Sequence, residues 1–149
     1  MKKLKLLALA IIALLVMTGC GEKTLTCTNT EEASGLEMGQ EVVMKFKNDK
    51  VNYVKMTIDA KATSDTIKNN WDLFASTLKG QYSDTEKEGV KLTTKNDEKN
   101  YSYKISLEVD LEKASEDALA EYDLDGIADK DSSMEDVKKA AEEDGFTCK

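Results

Sequence analysis

The stretch Tyr101-Ser102-Tyr103-Lys104-Ile105-Ser106-Leu107-Glu108-Val109 decides the fold class. Apolar and aromatic residues take every odd position and polar residues every even one, the period of a strand with one dry face and one wet face. Upstream, Asn96 to Asn100 is a turn-rich loop, and Val90-Lys91-Leu92-Thr93-Thr94, opened by Gly89, reads as the strand beside it. Gln40 to Lys47 places Val42, Met44 and Phe46 on one side. Asn48-Asp49 is a turn signal, and Val51 to Ala60 returns with Val54, Met56 and Ile58 on one side, so the pair reads as an antiparallel hairpin. At the front, Thr24-Leu25-Thr26-Cys27-Thr28 alternates with Leu25 and Cys27 inward. Asn29 to Gly39, polar and containing Gly35, reads as a loop.

Helical spacing appears in three places. Ser64 caps a long segment reaching about Tyr82, in which Ile67, Trp71, Phe74, Leu78 and Tyr82 fall on one stripe. That stripe reads as core, with the chain's single Trp as its anchor to the sheet. Ser115 to Tyr122 is a short helix with Leu111, Leu119 and Tyr122 as apolar contacts. Ser132-Ser133-Met134-Glu135 has capping-box spacing ahead of a last helix with Met134, Val137, Ala140 and Ala141 inward. Gly145 ends it, and Phe146 folds back in a Schellman arrangement. The expectation is an α+β domain: an antiparallel sheet of about five strands packed on one long helix, with short C-terminal helices. Tyrosines along the sheet could form a binding surface, although such residues more often cover an edge.

The N-terminus supplies an address. Lys2, Lys3 and Lys5 form a basic region, Leu6 to Met17 are apolar without interruption, and Met17-Thr18-Gly19-Cys20 follows. The apolar run is shorter than the ~20 residues needed to span hydrocarbon and fits a signal peptide. Its ending resembles a lipobox, with Met17 where Leu is usual. That resemblance implies a diacylglyceryl group on the Cys20 thiol and cleavage before it. The division is then 1–19 lipoprotein signal peptide, 20–23 lipidated tether, 24–149 single α+β domain, held on the extracytoplasmic face of the cell membrane by the lipid anchor on Cys20. Two acyl chains anchor stably where one is marginal, each buried CH₂ contributing ~0.8 kcal/mol.

Composition narrows the chemistry. The chain has 21 basic and 29 acidic residues, net −8, and losing Lys2, Lys3 and Lys5 leaves 18 against 29, net −11. Such a body repels phosphate backbones, so nucleic acid is not an expected partner. There is no Arg, His or Pro. Missing His removes the commonest neutral-pH base, and missing Arg removes the bidentate anion clamp. With Cys20 lipidated, Cys27 and Cys148 remain as an even pair in an exported chain. They read as a disulfide, with two free thiols or a redox or metal pair as the alternatives. A closed loop of ~120 residues is worth on the order of 4–5 kcal/mol in the chain-entropy model.

The lipobox, Leu25-Thr26-Cys27-Thr28 after it and the closing Asp144-Gly145-Phe146-Thr147-Cys148-Lys149 together resemble the YehR-like family of small bacterial lipoproteins. The resemblance implies an α+β fold and carries no catalytic residues. The region rich in Asp departs from it. There Asp123, Asp125, Asp129 and Asp131 are candidate metal ligands, since Ca²⁺ takes six to eight oxygens. Asp123-Leu124-Asp125-Gly126 lacks EF-hand spacing, and a solvated acidic loop is the plainer reading. No GxSxG, HExxH, P-loop or SxxK pattern is present. The expectation is therefore a non-catalytic binding or interaction module at the envelope, without a cofactor, facing an unknown envelope protein or ligand. The alternative is a small envelope hydrolase or calcium-binding accessory protein using Asp/Glu carboxylates.

Overall fold

The computed structural model describes residues 21–121 and 133–149. The signal segment, Cys20, Tyr122 and the candidate ligands Asp123, Asp125, Asp129 and Asp131 lie outside the described residues.

A single antiparallel sheet carries the fold. In chain order its strands are β1 (Glu22–Ala33), β2 (Leu36–Lys47), β3 (Lys50–Ala62), β4 (Thr85–Lys87), β5 (Val90–Asp97), β6 (Ser102–Asp110) and β7 (Thr147–Cys148). They lie side by side as β4-β5-β6-β3-β2-β1-β7. Two-residue turns join the long strands, with Ser34 and Gly35 between β1 and β2 and Asn48 and Asp49 between β2 and β3, all at positive φ. Such turns match the right-handed twist of the strands they join.

The helices are α1 (Asp65–Asn69), α2 (Trp71–Gln81), α3 (Glu116–Ala120) and α4 (Met134–Glu143). The expected architecture of about five strands on one long helix is therefore wrong: the sheet has seven strands, and the longest described helix, α2, has 11 residues. Ser64 does cap the first segment, accepting from the Ile67 amide, but Asn70 interrupts it. Its backbone sits at φ −113°, ψ 20°, and its side-chain Nδ2 donates to the Thr66 carbonyl at 2.8 Å. An amide side chain that takes a helical carbonyl competes with the backbone ladder, and the helix is interrupted there. Trp71 is buried with Ile67, Phe74 and Leu78 packed around it, while Tyr82, placed on the same stripe by its spacing, is the extended residue that ends the helix and is 41 % exposed.

Two further corrections concern the strands and the last helix. The stretch Asn29 to Gly39, expected as a loop, extends β1 and β2 in register, pairing Asn29 with Gln40 and Ala33 with Leu36. Its polarity misled because β-pairing is a backbone property and this end of the hairpin is not covered by a hydrophobic layer. In α4 the capping serine is Ser133, whose hydroxyl accepts from the Asp136 amide, rather than a Ser132–Glu135 pair. Ala140 faces solvent. The end of α4 is a Schellman motif: Phe146 N–H donates to the Ala141 carbonyl at 2.9 Å and Gly145 N–H to Glu142 at 3.2 Å.

Register places Leu25, Met44, Val54, Val109 and Val90 in one row across five strands, and all are buried. The odd-numbered residues of β6 share that face with the even-numbered residues of β3. Val51 joins the same core although its parity is wrong, because a bulge pairs Lys45 with Tyr53 but Phe46 with Val51 and leaves Asn52 as the extra residue. The helices divide this apolar face. α3 and α4 cover the end holding Leu25, Phe46 and Val109, while α1 and α2 cover the end holding Ala62 and Tyr103. The opposite face is wet, as a one-sided antiparallel sheet permits.

The disulfide closes the other edge. Cys27 and Cys148 are direct cross-strand partners with Cα atoms 4.1 Å apart, and the sulfurs are bonded. Both cysteines are buried. Thr26 and Lys149 exchange two backbone hydrogen bonds beside them, at 3.0 and 2.9 Å. Among the described residues no helix is long and apolar enough to cross a membrane.

Candidate functional site

Clefts near both ends of the sheet gather ionisable side chains. The first lies by the start of β5, has a volume of about 240 Å³, and includes Tyr53, Lys91, Glu108, Asp110 and Lys113. Strand register makes Lys55 the direct cross-strand partner of Glu108 on the wet face, and their ion pair is 3.0 Å long. The Tyr53 hydroxyl donates to the same carboxylate at 3.1 Å.

The acidities follow from these contacts. The Lys55 ammonium, hydrogen-bonded to Glu108, holds this carboxyl below its ordinary range against a smaller opposing push from burial, and the Tyr53 hydroxyl adds to the lowering. Burial raises the Tyr53 phenol, and the charge of Glu108 raises it further. Asp110 is lowered chiefly by its hydrogen bond from Lys113, with which it pairs at 2.7 Å. A general acid near neutral pH needs a carboxyl raised toward 7 by burial or by a like charge. Here the cations neutralise the carboxylates in place: Lys91 meets Glu86 and Lys87 meets Glu121.

The second cleft, of about 570 Å³, lies between α2 and the far end of β5 and β6. Asp72, Ser76 and Lys79 recur at helical spacing along one side of α2 and form its wall. Thr94 and Asn96 of β5, with Glu98 of the following turn, form the opposite side. Asp84 closes one end by accepting from the Thr94 amide at 2.6 Å and from its hydroxyl at 2.9 Å. This bond occupies a strand-edge N–H that β4 is too short to reach. Asn96 is fixed by Trp71, whose indole Nε1 donates to its Oδ1 at 3.0 Å. Tyr103, only 2 % exposed, lies directly across from Asn96 and also lines the cleft.

No family model matches the chain, and no curated protein matches it. One solved structure does. The NMR structure of a protein from Streptococcus pneumoniae TIGR4 superimposes with a TM-score of 0.52 at 15 % identity, covering 89 % of this chain and 88 % of that one. At that identity the likeness is one of fold.

Sequence reading named Cys27 and Cys148 as a pair, and the structure brings them together. It missed both clefts. The nearest signal was the alternation around Tyr103, but alternation alone cannot say which tyrosine meets the helix Trp71–Gln81. Among the described residues no group of three or more Cys, Asp or Glu is arranged to hold a metal ion.

Proposed function

We propose that this chain is a lipoprotein, anchored through Cys20 on the extracytoplasmic face of the membrane, whose folded domain is a non-catalytic binding module akin to the YehR-like lipoproteins. The lipobox Met17-Thr18-Gly19-Cys20 supports the anchor. The observation that carries the binding reading is geometric: Glu108 is paired with Lys55 at 3.0 Å and Asp110 with Lys113 at 2.7 Å. Glu108, Asp110 and Asp97 are all lowered by hydrogen-bonded neighbours. Carboxyls stabilised as anions suit a surface that recognises charge better than one that delivers protons.

The start of β1 adds a geometric consequence. Glu22 already pairs with Lys47, so Gly21 alone separates the strand from Cys20, a span of roughly 3.5 Å. An anchored domain then stands against the bilayer at the end carrying the Asn48–Asp49 turn. The α2–β5 cleft lies at the opposite end and faces outward.

Metabolic labelling with palmitate, on the native chain and on Cys20→Ala, tests the anchor. Label in the membrane fraction and soluble, unlabelled mutant protein are expected. An unlabelled native chain, or a mutant that stays in the membrane fraction, would overturn it.

A further inference from the structure

We infer that a second copy of this chain docks on the wet face of the sheet, the two copies being related by a two-fold axis along β3; this deepens the binding reading above by supplying its partner, and rests on it. Gly39 is the first observation. A glycine inside a strand weakens it and marks a bulge, a bend or a place where another chain comes close. Gly39 sits in unbroken register between Thr30 of β1 and Asp59 of β3, and its φ is not positive. An added Cβ would meet only the Asp59 carbonyl, at 3.9 Å. Among the described residues nothing requires a glycine there. Its parity is opposite to that of Met44 and Phe46, so it leaves a gap on the wet face, with Glu37 and Glu41 on either side along β2.

The second observation is the division of charge about β3. On one side, Lys104 of β6 and Lys95 of β5 are direct cross-strand partners, and both are exposed. Like charges set directly opposite destabilise a single chain. Lys104 reaches Asp59 at 3.4 Å, whereas Lys95 has no ion pair among the described residues. On the other side, Glu37 and Glu41 have none either. Ser106 Oγ and Asp59 Oδ1, on the same face, are shut off from solvent without a hydrogen-bond partner among the described residues. The polar network of a lone chain is incomplete here.

Strand order makes this face self-complementary. β6 and β2 flank β3, with β5 and β1 beyond them. Lys104 and Gly39 both pair with Asp59, and Ser106 and Glu41 both pair with Thr57. Half a turn about β3 therefore sets each Lys104 over the Gly39 of the other copy, between Glu37 and Glu41, and each Ser106 over Glu41. Asp59, on the axis, then lies between its own Lys104 and that of the second copy. Facing sheets pack about 10 Å apart, so a lysine fits best opposite a residue without a side chain. The contact is isologous and closes as a dimer. Because the axis runs along the strands, both copies keep their Glu22–Lys47 ends on the same side, as two chains anchored in one bilayer must.

Sedimentation equilibrium of the full chain in a density-matched nonionic detergent tests the contact. A dimer with a Kd below about 10 µM is expected, weakening as salt rises. Gly39→Leu fills the gap where the single chain has open space, so its urea midpoint at monomeric concentration holds while the Kd rises at least about tenfold. Lys104→Glu dissociates the dimer similarly, and adding Glu37→Lys and Glu41→Lys to it restores association. A monomer up to about 100 µM, a dimer that either single variant leaves intact, or a folded triple variant that stays monomeric overturns the inference. These runs need no acyl group, so their failure and that of the palmitate experiment are separable.

Discussion

Glu108 shows how a single side chain on the wet face links geometry to stability. Its carboxyl is lowered because Lys55 and Tyr53 donate to it. A folded-state acidity below the unfolded value, ordinarily about 4.3 for Glu, contributes stability above the unfolded value. That contribution is lost as pH falls through the lowered folded one. Glu108→Gln abolishes this titration. Its stability is therefore expected to fall less steeply than that of the wild type between about pH 5 and pH 2, read from urea midpoints across the range. An unchanged slope would mean that the pair is no tighter in the folded chain. Gly89 is a harder constraint. Its φ is +73°, and an added Cβ would lie 2.3 Å from the Ala114 amide nitrogen, a backbone atom that cannot step aside. Its carbonyl also accepts from the Asp110 amide at 2.7 Å, tying the turn to β6. Gly89→Ala combines left-handed strain with a backbone clash and is expected to cost about 3 kcal/mol or more, measured by chemical denaturation.

Elements differ in how far their own residues dictate them. β6 was legible because its inward residues, Tyr103 and Val109 buried and Ile105 and Leu107 half-buried, all pack into the core, and packing on one face forces alternation. The ends of β1 and β2 from Asn29 to Gly39 were not, since Glu31, Glu32 and Glu37 obey no apolar period. The break at Asn70 was illegible for another reason: Ile67, Trp71, Phe74 and Leu78 keep helical spacing across it, and the interruption comes from one amide bonding to Thr66. The α2–β5 cleft was hidden because its walls come from elements that only the folded sheet brings together. β7 is the opposite extreme, with two residues, no apolar pattern, and a position set by a covalent bond. Cys27→Ser with Cys148→Ser is expected to lower stability by about 2–5 kcal/mol. It should also release Lys149 and Thr26 amide protection in hydrogen exchange while β2 and β3 stay protected. In the wild type both cysteines are buried. Reductant without denaturant should therefore leave the bond intact over times that reduce it fully in urea.

At the scale of the whole molecule, the sheet is a ruler whose foot, under the proposed anchor, is the end where Glu22 meets Lys47. β3 climbs from Lys50, beside the strand start that follows Cys20, to Lys61, which pairs with Ser102 next to the β5–β6 turn. At ~3.3 Å per residue this rise is roughly 35 Å, longer than the hydrocarbon core of a bilayer is thick. If Cys20 carries the proposed anchor, Gly21 is the only slack and the domain has little freedom to tumble. Lys47 then lies at the headgroups and Lys99, at the far turn, stands well clear of them. Both side chains are exposed. Lys47 gives up only a surface pair with Glu112, a contact of the kind worth about 0–1 kcal/mol. Lys47→Cys and Lys99→Cys, each carrying a fluorophore, are therefore suited to a depth measurement on the acylated protein in vesicles with headgroup-bound quencher. Strong quenching is expected at position 47 and almost none at 99. Equal quenching at both would mean that the sheet lies flat, bringing the α2–β5 cleft to the membrane surface. Quenching at neither would mean that the domain is not held there, and the upright display on which the outward cleft depends would be lost with it.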